Sequence, residues 1–149
     1  MLADVPRWRS IPIARDVPYD ELEGYLAEAA RAAGWPHEQA MPFLIEGPVH
    51  ALAWHVVDGA RIPEGERGHS AHLAGAVRGR IEGGAPTLVG FYSDHHQGVF
   101  THHDSRMHMH FTDRSRDLCG HVDHVDIAAG SILRIPVPAP DPAAQAAPR

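Results

Sequence analysis

Residues 105–125, SRMHMHFTDRSRDLCGHVDHV, hold three histidines in the pattern H-x-H-x10-H: His108, His110 and His121. On a β-strand, side chains two apart share a face, so His108 and His110 project together about 7 Å apart. Met107, Met109 and Phe111 then point the other way, into a core. The ten residues before His121 leave room for a turn and a neighbouring strand that returns a third imidazole alongside. Three neutral imidazoles hold Zn²⁺ from one side and leave a coordination position open, as catalytic zinc sites do. Imidazole also suits other divalent transition metals, so the spacing does not choose between them. The chain has 13 histidines, and the same pattern also fits surface imidazoles with no ion between them.

Further polar residues surround this trio in sequence. His55 alternates with Ala51 and Ala53, which makes it a fourth metal-facing group or a proton donor. Glu46 closes the run Phe43–Glu46 beside the Gly47-Pro48 break, where it serves as a site carboxylate or a solvated one. The segment SDHHQGVFTHHDSR supplies His95, His96, His102 and His103, and a loop imidazole such as His103 suits acid–base work near neutral pH. Arg106, two residues before His108, should share its face and clamp an anion. Asp123 is expected on the face of His121, where a carboxylate can orient an imidazole. His124 should face away, and Cys119 is a minor candidate for a soft fourth ligand.

The elements that must position these groups follow from patterning. Leu22, Tyr25, Leu26, Ala29 and Ala30 recur with helical spacing, with Asp20 as the expected cap and Gly34 as the stop. MPFLIE and VHALAWHVV read as strands split by Gly47-Pro48, and PTLVGFY, RMHMHF, GHVDHVDI and SILRIPVP as further strands. HSAHLAGAVRGRI is expected as a short helix, weakened by Gly75 and Gly79. The fold class is therefore α+β: one main helix on a mostly antiparallel or mixed sheet of six to seven strands, open or barrel-like. Residues 1–16 form an irregular arm or an edge strand, 17–138 the domain, and 139–149 a Pro/Ala-rich tail expected to be disordered.

Composition narrows the partners. Net charge is −6, all thirteen basic residues are arginine, and they are scattered, which speaks against nucleic acid. The single cysteine and the lack of a long apolar run or a signal-peptide pattern lead to an expectation of a cytoplasmic protein without membrane partners.

Residues 86–130 resemble the metal-binding half of bacterial α-acetolactate decarboxylase. Leu88-Val89-Gly90-Phe91, Gly98-Val99, His108-Met109-His110-Phe111 and Cys119-Gly120-His121-Val122 occupy the places of that family's motifs, with its ten-residue gap between second and third histidines. Upstream, PYDELEGYLAEAARAAGW and PFLIEGPVHALAWHVV are similar to its helix and following strand pair, so the resemblance spans about 17–137. It implies that His108, His110 and His121 are zinc ligands and that a bound substrate chelates the metal through hydroxyl and carbonyl oxygens. It also implies the superfamily fold shared with plant and prokaryote conserved (PPC) domains. The family's arginine falls here on His55, and its two outlying glutamates have no counterpart.

The expected function is thus a mononuclear metal-dependent lyase, decarboxylase-like, or an isomerase. Its substrate would be a small anionic hydroxy- or keto-acid other than acetolactate, processed through an enolate-type intermediate. The competing expectation is a non-catalytic, metal-stabilised binding or assembly domain of the PPC kind. A homodimer or homotrimer is expected in either case.

Overall fold

The computed structural model describes residues 3–61, 75–95, 105–115 and 117–138. His96, His102, His103 and the tail 139–149 lie outside them, so the expectations placed on those residues find no description here. Eight strands form one sheet: β1 (Trp8–Pro12), β2 (Met41–Glu46), β3 (Val49–Val57), β4 (Ala76–Glu82), β5 (Thr87–Tyr92), β6 (Met107–Thr112), β7 (Cys119–Ile127) and β8 (Ile132–Pro136). Their order is β1-β8-β2-β5-β6-β7-β3-β4, and every pairing is antiparallel. The α+β class holds, with eight strands among the described residues where six or seven were expected.

Connection lengths dictate the shape of this sheet. Only Gly47 and Pro48 separate β2 from β3, so their ends lie within about 11 Å. In a flat sheet the four intervening strand spacings would hold them about 19 Å apart. The sheet must therefore curl strongly, yet among the described residues β1 and β4 remain its two edges and no barrel closes. Gly47 makes this corner possible: its φ is 135°, and an added Cβ would sit 2.7 Å from Ser131 Cα.

The helix α1 (Tyr19–Ala32) lays Leu22, Leu26, Ala29 and Ala30 on the core face, against β5 and β7. Its start corrects the expected cap. Pro18 is the N-cap and Asp20 lies in the first turn, while Asp126 on β7 accepts the Tyr19 amide at 3.2 Å. Burial opposes ionisation of Asp126, but the bonds from His124 and the Tyr19 amide outweigh it and hold the carboxyl below its ordinary value. The helix ends at Gly34 as expected, with Trp35 N–H donating to Ala30 O and Gly34 N–H to Arg31 O, a Schellman closure.

The segment expected as a second helix is instead partly β4. Val77, Gly79 and Ile81 are half-buried while Arg78, Arg80 and Glu82 are exposed, a period of two that a helix cannot satisfy. Beneath the sheet, Phe43, Phe111, Leu52, Leu88, Met109, Ile127 and Leu133 are almost fully buried with Leu22 and Leu26. Each such side chain contributes about 1.5–3 kcal/mol by leaving water.

Candidate metal centre

Strand β6 divides its residues as its sequence demands. Met107, Met109 and Phe111 are buried in the core, and His108 and His110 stand on the opposite face. Register does the rest. Val89 pairs with His110, His110 with His121, His121 with His55, and His55 with Arg78, so one row crosses β5, β6, β7, β3 and β4. Directly paired residues share a face, which gathers imidazoles from three strands at one spot.

The rings converge. His108 and His110 approach with Nε2 atoms 3.1 Å apart, close to the spacing of about 3.3 Å between two donors on a tetrahedral zinc ion. Ring centroids lie 4.8 Å apart for His108–His121, 5.5 Å for His110–His121 and 4.7 Å for His55–His121. Desolvation within the cluster and the neighbouring His55 push the His110 pKa below its ordinary value, although the residue keeps a solvent-exposed edge. A neutral ring is the form that binds a metal.

Asp123 joins the cluster at a bulge. Ala53 opposes His124 and Trp54 opposes Val122, so Asp123 is the extra residue of β7 and has no ladder partner. Its carboxylate sits 2.7 Å from His55 Nδ1 and 3.4 Å from His121 Nδ1. Accepting from His55 Nδ1–H fixes the tautomer and leaves the lone pair on Nε2. The His55 and His121 side chains are only 12% and 13% exposed, so solvent cannot replace this carboxylate easily. Among the described residues, His55, His121 and Asp123 are the group that brings one donor atom each within 4.8 Å of the others, with His108 and His110 beside it.

Packing beneath the row holds it in place. Trp54, next to His55, lies against Phe111 with ring centroids 6.0 Å apart and spreads across two glycines on flanking strands. Gly79 has no room for a Cβ beside the Trp54 ring, and a Cβ on Gly120 would meet His55 O at 3.0 Å. These glycines let β4 and β7 close around the indole and set the height of His55.

The strand arrangement has known counterparts. α-Acetolactate decarboxylase from Bacillus subtilis strain 168 superposes with a TM-score of 0.68 at 14% identity, over 89% of this chain and 53% of that one. A protein of unknown function similar to α-acetolactate decarboxylase, from Staphylococcus aureus, gives 0.61 at 11% identity, over 89% and 52%. This chain has the acetolactate decarboxylase fold. It spans about half the length of the decarboxylase structures it matches. No family model and no curated protein matches the sequence.

Within this acetolactate decarboxylase fold, the other sequence candidates scatter. Arg106 precedes β6; its guanidinium is 3.1 Å from Asp94 and 3.2 Å from Glu23, and its amide donates to Glu23. It lines a hollow of about 150 Å³ with Trp35 and Tyr92 beside α1. Burial and the bond to Asp94 push the Tyr92 hydroxyl up to about 12, so it stays a donor. Glu46 is ion-paired with Arg134 at 2.8 Å, on a strand about 10 Å from β6 across β5. His95 rests against His37. His124 stacks on Tyr19 and bonds Asp126, supporting the start of α1. Cys119 is exposed at the beginning of β7.

One residue of the row went unread in the sequence. Arg78 lies opposite His55, with Nη1 3.8 Å from Asp123 Oδ2. Alternation in AVRGRIE was the available signal, hidden by the expectation of a helix there.

Asp123→Asn is expected to weaken divalent-metal binding by about ten- to a hundredfold while the fold persists, as loss of a ligand-orienting carboxylate does. Competition against a chromophoric chelator measures it, and unchanged affinity would remove Asp123 from the site.

Proposed function

We propose that this protein is a mononuclear metal-dependent lyase, decarboxylase-like, or isomerase that acts on a small anionic hydroxy- or keto-acid through an enolate-type intermediate. The observation that carries the reading is the convergence of His108, His110, His121 and His55, with Asp123, on the sheet face opposite α1. His108, His110 and His121 would hold the ion, Zn²⁺ being the first choice for three neutral imidazoles. A bound ion there supplies Lewis-acid stabilisation of negative charge developing on substrate oxygens.

The remaining work falls to side chains. Asp123 fixes the His55 tautomer, so His55 Nε2 is the atom placed to take or return a proton beside the metal seat. The fold shared with α-acetolactate decarboxylase supports the reaction class, and the missing arginine at position 55 supports a different acid as substrate. A homo-oligomer belongs to the proposal. Among the described residues no helix is long and apolar enough to cross a membrane.

The test is a screen of 2-hydroxy- and 2-oxo-acids in deuterated water, reading CO₂ release and deuterium uptake at the α-carbon. Turnover that needs the metal and disappears in His108→Ala is expected. A metal-loaded protein inert toward the whole panel would favour the metal-stabilised binding domain instead.

A further inference from the structure

We infer that Tyr19, in the first turn of α1, is a hydrogen-bond donor to the ligand at this centre, an assignment that rests on the metal-dependent reading above. Its place is set where two strands part. β6 and β7 pair over three positions only, residues 110–112 against 119–121. Past His121 that edge of β7 is taken by the chain entering α1: Val17 bridges to Ile127, and Asp126 accepts the Tyr19 amide at 3.2 Å. One helical turn on, Glu23 accepts the Arg106 amide at 2.7 Å, directly ahead of β6. The first turn of α1 therefore stands in the gap between the start of β6 and the end of β7, while Leu22 and Leu26 go to the core.

Register sets the β7 side of this gap on the face of the histidines. Ala53 pairs with His124 and Ala51 with Asp126, and alternation along β3 gives both alanines the side of His55. The Tyr19 ring rests against His124, with centroids 4.9 Å apart, and Asp123 precedes His124 at the bulge. Tyr19 and His55 thus flank β7 from its two edges, with Asp123 in the strand between them.

The chemistry fits a donor. Among the described residues nothing accepts from the Tyr19 hydroxyl. Burial first, and then the Asp123 and Glu23 carboxylates, push the phenol above its ordinary pKa, so it stays protonated. Its neighbours are already engaged: His124 bonds Asp126, Asp123 holds His55, and Glu23 holds Arg106. Two of them are carboxylates that would repel an anion, whereas a neutral O–H can donate to an anionic oxygen. A 2-hydroxy- or 2-oxo-carboxylate offers three oxygens, two for the ion and one for the phenol. The phenol keeps its proton throughout, so Tyr19 orients the acid and stabilises charge on its oxygen, while His55 remains the proton carrier.

The experiment compares wild type and Tyr19→Phe, each loaded with Co²⁺, and follows the cobalt absorption bands during titration with 2-hydroxyisobutyrate and, separately, with imidazole. Imidazole reaches the open position of the ion but offers no oxygen to the phenol. Tyr19→Phe keeps the ring against His124 and should bind 2-hydroxyisobutyrate about tenfold more weakly, with imidazole and Co²⁺ affinities within about twofold of wild type. Unchanged acid binding in Tyr19→Phe overturns the assignment and leaves the ring a packing element. Equal weakening of acid and imidazole, loss of Co²⁺ from Tyr19→Phe, or a Co²⁺-loaded wild type that binds no acid overturns it as well. Should wild type itself bind no Co²⁺, the metal reading fails separately. Calorimetry with 2-hydroxyisobutyrate on the metal-free protein then decides on Tyr19: binding that is lost in Tyr19→Phe sustains it, and no Tyr19-dependent binding sinks it.

Discussion

His121→Ala is expected to weaken divalent-metal binding by about a thousandfold or more, the largest effect of any single substitution in the molecule. Structural zinc sites bind with apparent free energies of about 10–16 kcal/mol, and removing one of three protein ligands forfeits about a third of that. His121 is the hinge of both possible ligand sets: it stands between His110 and His55 in the row and closes the group with His55 and Asp123. The change also takes one of two imidazoles from the Asp123 carboxylate. Global stability of the metal-free protein should fall far less, since the His121 ring belongs to the site face and not to the core. Chelator competition and thermal unfolding, measured side by side, separate the two effects. Retention of wild-type affinity in His121→Ala would refute this ligand assignment.

Gly90→Ala should be the most damaging small substitution for the fold, at about 3 kcal/mol, the upper end for overpacking. An added Cβ would lie 2.5 Å from Phe43 Cζ, 2.6 Å from the His108 carbonyl oxygen and 2.9 Å from Met109 Cγ. Phe43 is completely buried and the carbonyl belongs to a paired strand, so neither can step aside cheaply. The strain must then move β5 against β6 and with it His108. Two readouts should change together: a lower denaturation midpoint and weaker metal binding, although residue 90 is no ligand. A stable variant with intact metal affinity would show that β6 tolerates displacement, contrary to the packing described.

Where alternation was strong, the sequence was readable. Met107–Phe111 separated core from ligand face residue by residue, and the Gly34 stop and the Gly47-Pro48 break lie where the turn chemistry placed them. The fold resemblance rested on short motifs around the histidines, and the superposition over 89% of the chain agrees with it. Long-range pairing was what stayed hidden. No local signal tells that β1 joins β8 or that β3 lies beside β7, so neither the row from His110 to Arg78 nor the bulge at Asp123 could be assembled from spacing alone. Two glycines in AHLAGAVRGRI weakened a helix reading without suggesting that one of them, Gly79, exists to admit Trp54. Arg106 precedes β6, and its side chain is held by Glu23 and Asp94, contacts that alternation along the strand does not reveal. The Tyr19 amide that opens α1 donates to Asp126, 107 residues away, a partner that no local signal reveals.

X-ray absorption of the zinc-loaded wild-type protein is the most direct test of the centre itself. About one ion per chain is predicted, with three imidazole nitrogens at about 2.0–2.1 Å and the remaining positions taken by light atoms. A protein that retains no stoichiometric metal, or a sulfur shell at about 2.3 Å placing Cys119 on the ion, would contradict the account.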